Sequence, residues 1–145
     1  MNCLKIKLQI FVLMFAPTVC NASLLAFTTD GCSMFPDKIQ NTSWCHCCIL
    51  HDLAYWKGGT ASERLAADEA LRQCVVEATH DQNLAEAMFR GVRIGGAPYS
   101  LTSYRWAYGW TEHRFYQKLT ANDAIQASVL QQQYLLQNPT LQCPE

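Results

Sequence analysis

The most informative feature of the sequence is the stretch Cys47-Cys48-Ile49-Leu50-His51-Asp52-Leu53-Ala54-Tyr55. On a helix, Cys48, His51, Asp52 and Tyr55 share one face, because residues three, four and seven positions apart lie above one another. An imidazole that can accept a proton near neutral pH would then lie beside a carboxylate that can hold a cation. The stretch therefore predicts a functional site on a helix rather than an ordinary packing face.

The start of the chain has the layout of a secretory signal peptide over residues 1–22. Lys5 and Lys7 form a weakly basic beginning, an apolar run follows from Leu8 to Ala16, and small residues surround Ala22. The apolar run is too short to span a bilayer. We therefore predict cleavage near Ala22 and a secreted or periplasmic protein.

Residues 23–145 are expected to form a single domain, since half of the 145 residues are hydrophobic and only 16% are charged. Without Lys5 and Lys7, nine of the eleven Lys plus Arg remain against twelve Asp plus Glu, a formal charge of about -3 that argues against a nucleic-acid partner. An alternative interpretation makes Cys20 the lipidated cysteine of a bacterial lipoprotein.

An even number of cysteines in an exported chain predicts disulfides, with 15 pairings open in principle. The six cysteines are Cys32, Cys45, Cys47, Cys48, Cys74 and Cys143.

The pattern around the opening stretch predicts a loop followed by two helices. Residues 28–43 are rich in Asp, Gly, Ser, Pro, Asn and Thr without a regular period, which is typical of a loop. The first helix runs from about Trp44 to Lys57 and ends at two glycines. Thr60 and Glu63 have the spacing of a capping box, so a second helix begins there and continues to about Thr79. Its expected apolar stripe is Leu65, Ala66, Leu71, Val75 and Val76.

Two further helices are expected in the second half of the chain. One begins near Asp81 and is weakened by Gly91, and the last begins at Asn122 and ends at Asn138-Pro139. The apolar stripe of the last helix is Ala124, Ile125, Val129, Leu130 and Tyr134. Strand signals are scarce. The sequence therefore predicts a mainly α fold, in which two antiparallel disulfide-linked helices follow an N-terminal loop and additional helices complete the C-terminal part.

The two central helices can be aligned without any reference protein, because facing residue numbers in antiparallel helices keep a nearly constant sum. If a disulfide joins Cys47 to Cys74, the same register places Asp68 opposite His51. A buried carboxylate that accepts a hydrogen bond from one ring nitrogen fixes the tautomer and leaves the other nitrogen free as a base. Tyr55 lies one turn further along, where its hydroxyl could complete the network.

A disulfide from Cys32 to Cys48 would bring the loop Asp30-Gly31-Cys32-Ser33 against the start of this helix. Carboxylate and carbonyl oxygens from two segments would then converge near Asp52. Such a flexible set of oxygen ligands suits Ca²⁺. Cysteines held in disulfides would not compete for the cation.

These residues resemble the secreted phospholipases A2. The helix motif of that family reads Cys-Cys-x-x-His-Asp with a Tyr three residues after the Asp, and the positions that match it are Cys47, Cys48, His51, Asp52 and Tyr55.

The second helix is similar to the family as well, which places an Asp six residues before the cysteine that pairs across the helices. Asp68 and Cys74 have that spacing. The loop over residues 30–37 lacks the glycine-rich pattern of the animal enzymes and looks closer to the prokaryotic and fungal branch. The resemblance covers about residues 28–76.

The resemblance implies hydrolysis of the sn-2 ester of glycerophospholipids. His51 would take a proton from the attacking water while Asp68 orients the imidazole, with Tyr55 in the same network. The substrate would be a phospholipid membrane or micelle surface, and we expect a monomer.

The resemblance also implies a calcium site. Asp52, Asp30 and the carbonyl of Gly31 would hold Ca²⁺, and a loop amide such as that of Ser33 would assist at the oxyanion. No covalent intermediate is needed.

Two other functions compete with this hypothesis. A non-catalytic relative would bind lipid or a protein partner. The C-x-x-C spacing of Cys45 and Cys48 suggests a thiol oxidoreductase or, with His51, zinc ligands. If the first two disulfides form as above, Cys45 is left by elimination with Cys143.

The segment from Arg90 to Lys118 combines five basic residues with seven aromatic ones. These side chains could form a surface that meets a lipid headgroup layer. The simpler interpretation, which we favour, is that the aromatic residues belong to the core of a small domain.

Overall fold

The computed structural model describes residues 23–143. Its elements are a ribbon of β1 (Lys38–Ile39) and β2 (Thr42–Ser43), and the helices α1 (Cys45–Lys57), α2 (Ala61–Thr79), α3 (Gln82–Gly95) and α4 (Ala121–Gln137). The prediction of a mainly helical chain is confirmed. The predicted signal peptide, residues 1–22, lies outside the described residues. Within the described part, no helix is both long and apolar enough to cross a membrane.

Local sequence signals explain where the helices begin. Thr60 caps α2 and forms the expected capping box with Glu63, while Asp81 caps α3 by accepting two backbone hydrogen bonds. The last helix begins slightly earlier than Asn122, because Thr120 and Asp123 form a second capping box.

Two expectations about local structure were wrong. Helix α3 does not weaken at Gly91 but continues to Gly95, because one glycine costs only about 1 kcal/mol and α3 packs closely on α2. The segment interpreted as a plain loop contains the ribbon, in which Lys38 pairs with Ser43 and Ile39 with Thr42. Strands of two residues are too short to show alternation.

The buried face of α2 differs from the predicted apolar stripe. Leu65 and Ala66 are exposed. The buried residues are Arg64, Asp68, Leu71 and Val75. The helical period was right, but the stripe is rotated, and its N-terminal half is charged. A buried charged face is costly unless its groups are paired, so the elements packed against α2 must supply partners for Arg64 and Asp68.

The stripe predicted for α4 is also only partly buried. Ile125 and Val129 are exposed, whereas Leu130 and Tyr134 pack against the core, and Ala127 is the buried residue of the helix.

Three disulfides connect the segments, as expected for the six cysteines. They join Cys32 to Cys48, Cys45 to Cys143, and Cys47 to Cys74. Three of these cysteines lie in the first turn of α1. That turn is therefore bound to the preceding loop, to α2 and to the end of the described chain.

Helices α1 and α2 run in opposite directions. Along α1, Cys47, His51 and Tyr55 in turn meet Cys74, Asp68 and Arg64 of α2, so that residue numbers rise on one helix and fall on the other. The face that carries the charged residues of α2 is thus the face that meets α1.

A segment from the second half of the chain closes the C-terminal end of α1. The last four carbonyls of a helix lack partners within it. Here the carbonyl of Ala54 accepts from Gly58 N, and the next three accept from residues 107–110: Tyr55 O from Ala107 N at 2.7 Å, Trp56 O from Gly109 N at 3.0 Å, and Lys57 O from Trp110 Nε1 at 2.8 Å.

The close approach of this segment depends on small residues. A Cβ on Gly109 would lie 2.2 Å from the ring of Trp56, and Gly58 has a φ of 70°. Trp106 and Trp110 are buried in the same core. For these two residues the core interpretation of the aromatic segment is correct.

Candidate active site

His51 and Asp68 form a buried pair between α1 and α2. The Nε2 atom of His51 lies 2.8 Å from Oδ1 of Asp68, whose side chain is fully buried. Since the carboxylate can only accept, Nε2 carries the proton and Nδ1 is the basic nitrogen. The structure therefore brings together the two residues that the helix register paired.

Asp68 receives hydrogen bonds from three directions. Its Oδ1 also accepts from the Tyr55 hydroxyl at 2.7 Å, and its Oδ2 accepts from Arg93 Nη1 at 2.6 Å. Burial by itself would raise the pKa of Asp68, but the hydrogen bonds from His51, Arg93 and Tyr55 outweigh it and hold the pKa below the ordinary value. Asp68 is therefore ionised at neutral pH.

Tyr55 joins the pair to a buried arginine. Its hydroxyl accepts from Arg64 Nε at 2.9 Å and donates to Asp68. Burial, together with the negative charge of Asp68, raises the pKa of Tyr55 far above its ordinary value. The phenol thus stays protonated and remains a hydrogen-bond donor.

An apolar cavity of about 310 Å³ opens beside His51. Helix α3 supplies much of its wall through Met88, Gly91, Val92 and Ile94, and the loop before α1 supplies Met34 and Phe35. A Cβ on Gly91 would lie 3.1 Å from the Phe35 ring, so this glycine keeps the cavity open on one side.

Asp52 lies on the same face of α1 and borders a second cavity. Its side chain is buried, and its Oδ2 accepts from the Thr29 hydroxyl at 2.6 Å. Burial raises the pKa of Asp52 to about 7; the Thr29 hydrogen bond opposes this effect and the negative charge of Asp30 adds to it. The second cavity, of about 220 Å³, is lined by Thr28, Thr29, Asp30, Asp52, Ser103, Tyr104 and Tyr108.

The donor set around this second cavity suits a hard cation. Asp30 and Asp52 repel each other, and across residues 23–143 neither carboxylate has an ion-pair partner. Carboxylates with a neighbouring hydroxyl are oxygen ligands of the kind that Ca²⁺ takes. Asp52 lines both cavities, so a cation beside it would lie next to the apolar cavity as well.

The remaining loop residues lie close to these two carboxylates. Gly31 donates its amide to the Thr29 hydroxyl, and Ser33 Oγ donates to Asp30 at 2.9 Å. Gly31 and Ser33 both have positive φ, at 79° and 47°, and both line the apolar cavity.

The cysteines do not form the C-x-x-C pair that a thiol oxidoreductase would use. Cys45 and Cys48 belong to different disulfides, with Cys143 and Cys32. His51 is hydrogen-bonded to Asp68 rather than placed beside a thiolate. His46 Nε2 lies 3.5 Å from each sulfur of the Cys47–Cys74 disulfide, where the sulfurs are bonded to each other and are not thiolates.

Sequence reasoning missed three polar residues of the site. The helix register that pairs His51 with Asp68 also places Arg64 opposite Tyr55, and this signal could have been used. Thr29 and Arg93 reach the site from the loop and from α3, for which no register was available.

No protein family model, no curated protein and no solved structure matches the chain.

Proposed function

We propose that this protein is a calcium-dependent hydrolase of the phospholipase A2 type, which cleaves the sn-2 ester of glycerophospholipids. The observation that carries the proposal is the buried His51–Asp68 pair at the edge of an apolar cavity. The resemblance of the helix motif to that of the secreted phospholipases A2, with a loop closer to their prokaryotic and fungal branch, supports it further.

His51 is the base in this reaction. Asp68 holds the proton on Nε2, so Nδ1 accepts a proton from a water molecule as the water oxygen bonds to the ester carbonyl carbon. The same proton then passes to the leaving alcohol as the ester bond breaks, and the products are a free fatty acid and a lysophospholipid. The ionised carboxylate of Asp68 stabilises the imidazolium that exists between the two transfers.

Asp52, Asp30 and the Gly31 carbonyl are the proposed calcium ligands. A bound calcium ion would supply positive charge for the ester carbonyl and the substrate phosphate. Thr29 holds the Asp52 carboxylate in place, and the backbone amide of Ser33 is the candidate donor to the oxyanion.

The apolar cavity is the proposed binding site for the acyl chain. Met34 and Ile94 line it and are 80% and 78% exposed, so they surround its opening with apolar surface. Such a rim would let a phospholipid leave a membrane or micelle surface without crossing a polar barrier. The partner that we propose is therefore a lipid surface.

The proposed location is outside the cytoplasm. Three disulfides are compatible with an extracellular protein. Together with the signal-peptide pattern of residues 1–22, they support export to the periplasm or the medium.

The test is hydrolysis of phospholipid vesicles by the purified protein with calcium and with a chelator. Phosphatidylcholine and phosphatidylglycerol that carry different chains at sn-1 and sn-2 would reveal by mass spectrometry which fatty acid is released. We expect sn-2 release with calcium only, and a loss of more than about a hundredfold for His51→Gln or Asp52→Asn. His46→Gln, which changes an exposed histidine of the same helix, is the matched control and should retain activity.

Two results would contradict the proposal. One is a folded wild-type protein that releases no fatty acid from any lipid class. The other is release that is the same with chelator and in His51→Gln. Vesicle binding without hydrolysis would instead favour the non-catalytic lipid-binding alternative.

A further inference from the structure

We infer that Arg93 is a positioning residue, whose guanidinium holds the Asp68 carboxylate in the orientation that keeps His51 in its Nε2–H form. The catalytic part of this inference rests on the proposed role of His51 as a base. The structural part, which concerns the tautomer of His51, can be tested without any substrate.

The two oxygens of Asp68 have different partners. Oδ1 accepts from His51 and from Tyr55, whereas Oδ2 accepts from Arg93 at 2.6 Å. A carboxylate that is bonded at both oxygens cannot rotate about its Cβ–Cγ bond without breaking one set of contacts. Arg93 therefore helps to fix the plane of the carboxylate relative to the His51 ring.

Arg93 is itself held in place by a second arginine. Arg64 Nη2 donates to the carbonyls of Val92 and Arg93 at 2.9 and 2.8 Å, and Arg64 Nε donates to Tyr55. Arg64 Nη1 also reaches the hydroxyl of Tyr116. The last turn of α3 is thus fixed against α1 and α2 at the point where Arg93 extends toward Asp68.

The contribution of Arg93 is geometric more than electrostatic. Arg64 Nε lies 3.9 Å from Asp68 Oδ2, so a positive charge stays beside the carboxylate when Arg93 is replaced. What the replacement removes is the one hydrogen bond that Oδ2 receives among the described residues. Asp68 could then turn, and the two tautomers of His51 would become closer in energy.

Arg93 is also accessible from solution, because its side chain is one-third exposed while Asp68 is fully buried. A small guanidinium compound could therefore enter the space that a truncated Arg93 leaves. This accessibility permits chemical rescue, a result that a purely structural role would not produce.

The first experiment observes the side-chain nitrogens of His51 by ¹⁵N NMR in substrate-free protein, at a pH where the ring is neutral. His51→Gln assigns the signal among the four histidines. We expect the wild type to show one protonated nitrogen, Nε2, and Arg93→Ala to show an average of both tautomers. Arg90→Ala is the control, because Arg90 is an exposed arginine of α3 whose ion pair is with Glu86.

The second experiment measures hydrolysis by the same variants. We expect Arg93→Ala to lower kcat roughly tenfold to a hundredfold with KM nearly unchanged. The kcat of Arg93→Lys, which keeps the charge and one donor, should lie between those of the wild type and Arg93→Ala. Millimolar methylguanidinium should restore part of the kcat of Arg93→Ala and leave the kcat of Arg90→Ala unchanged. Circular dichroism checks that each variant is folded. If Arg93→Ala does not fold, Arg93→Lys replaces it in both experiments.

The inference is overturned if Arg93→Ala, or Arg93→Lys in its place, keeps the wild-type tautomer and the wild-type kcat. A loss of kcat that methylguanidinium does not restore and that leaves the tautomer unchanged would also overturn it. If the wild type hydrolyses nothing, the proposed function fails while the NMR result still decides the role of Arg93.

Discussion

Two buried carboxylates of this protein differ in charge because they differ in partners. Asp68 is surrounded by donors and has a lowered pKa, whereas Asp52 has one hydroxyl beside it and a pKa raised to about 7. Similar burial therefore gives opposite protonation preferences. Asp68 suits the orientation of a base, and Asp52 suits the attraction of a cation.

The raised pKa of Asp52 predicts how stability changes with pH when calcium is removed. The carboxyl has an ordinary pKa of 3.8 and a folded value of about 7, so between these values the folded protein retains a proton that the unfolded chain releases. The contribution of this proton to stability is complete below pH 3.8 and is lost as the pH rises through 7. With chelator present, the wild type should thus lose roughly 2 to 3 kcal/mol of stability between pH 5 and pH 8 that Asp52→Asn does not lose.

Urea unfolding with chelator at pH 5 and pH 8 would measure this difference. Glu77→Gln is the control, because it removes an exposed carboxylate of α2 that is not among the groups that shift the pKa of Asp52. Equal pH dependence of the wild type and Asp52→Asn would show that Asp52 is not the buried group described here.

The individual residues that the sequence could predict are those that share one helix register. His51, Asp52 and Tyr55 follow from helical spacing, and Asp68 follows from the antiparallel alignment. Arg93 and Thr29 could not be predicted, since their positions depend on how α3 and the loop dock, which no local period encodes.

Among the helices, α1 depends on distant residues for its C-terminal end. Trp110 Nε1 donates to the carbonyl of Lys57, and without this donor a partly buried carbonyl loses its partner. We expect Trp110→Phe to lower the free energy of unfolding by about 1 to 3 kcal/mol. Trp44→Phe is the matched control, because the indole nitrogen of Trp44 is buried without a hydrogen-bond partner among the described residues.

Thermal and urea unfolding of the two variants would measure the difference. Both tryptophans are buried, and phenylalanine at position 110 keeps a ring for the Arg114 guanidinium that lies over Trp110, so the Lys57 hydrogen bond is the main difference between the two replacements. A loss for Trp44→Phe as large as that for Trp110→Phe would contradict the role of the Lys57 hydrogen bond.

Helix α3 is expected to control the length of the acyl chain through Gly91. A leucine at this position would project into the cavity against Phe35. Hydrolysis of dioleoyl phosphatidylcholine should then fall at least about tenfold more than that of the dihexanoyl lipid, because about 1.4 kcal/mol of differential binding corresponds to a factor of ten.

Parallel kcat/KM measurements on the two lipids check this prediction. Arg90→Leu, one residue earlier and directed toward solvent, is the control. An equal loss on both lipids would mean that Gly91 matters for folding and not for the acyl chain.

In the molecule as a whole, two of the three disulfides are expected to contribute differently to stability and to the site. Cys45–Cys143 closes 98 residues, and Cys47–Cys74 closes 27 and lies one turn from His51. A chain-entropy model assigns about 4 to 5 kcal/mol to the longer loop and about 3 to 4 kcal/mol to the shorter one. Stability and activity should therefore respond differently to their removal.

We expect the double variant Cys45→Ser/Cys143→Ser to lose more stability and to retain activity while it is folded. Cys47→Ser/Cys74→Ser should lose activity at temperatures where circular dichroism still shows native helix content, because the His51–Asp68 alignment loosens. Hydrolysis assays beside unfolding curves would check both, and equal effects of the two double variants on kcat would contradict this division.

The helical class, the four helices and the presence of disulfides could be predicted from periodicity, capping residues and the cysteine count. The face that α2 buries could not, because Arg64 and Asp68 occupy positions where a hydrophobic scale expects leucine. The antiparallel register with α1 identifies these two residues, since it places Asp68 opposite His51 and Arg64 opposite Tyr55, whereas hydrophobic periodicity does not. The buried face of α2 and the hydrogen-bond network of the site therefore depend on the same residues, Arg64 and Asp68.

The closure of α1 by residues 107–110 has a consequence for the order in which the protein forms. During synthesis, Lys57 leaves the ribosome 53 residues before the tryptophan that satisfies its carbonyl. The C-terminal end of the helix that carries His51 therefore lacks these partners while the next 53 residues are being made. Its final turn becomes rigid only after Trp110 has been translated, so the site matures late.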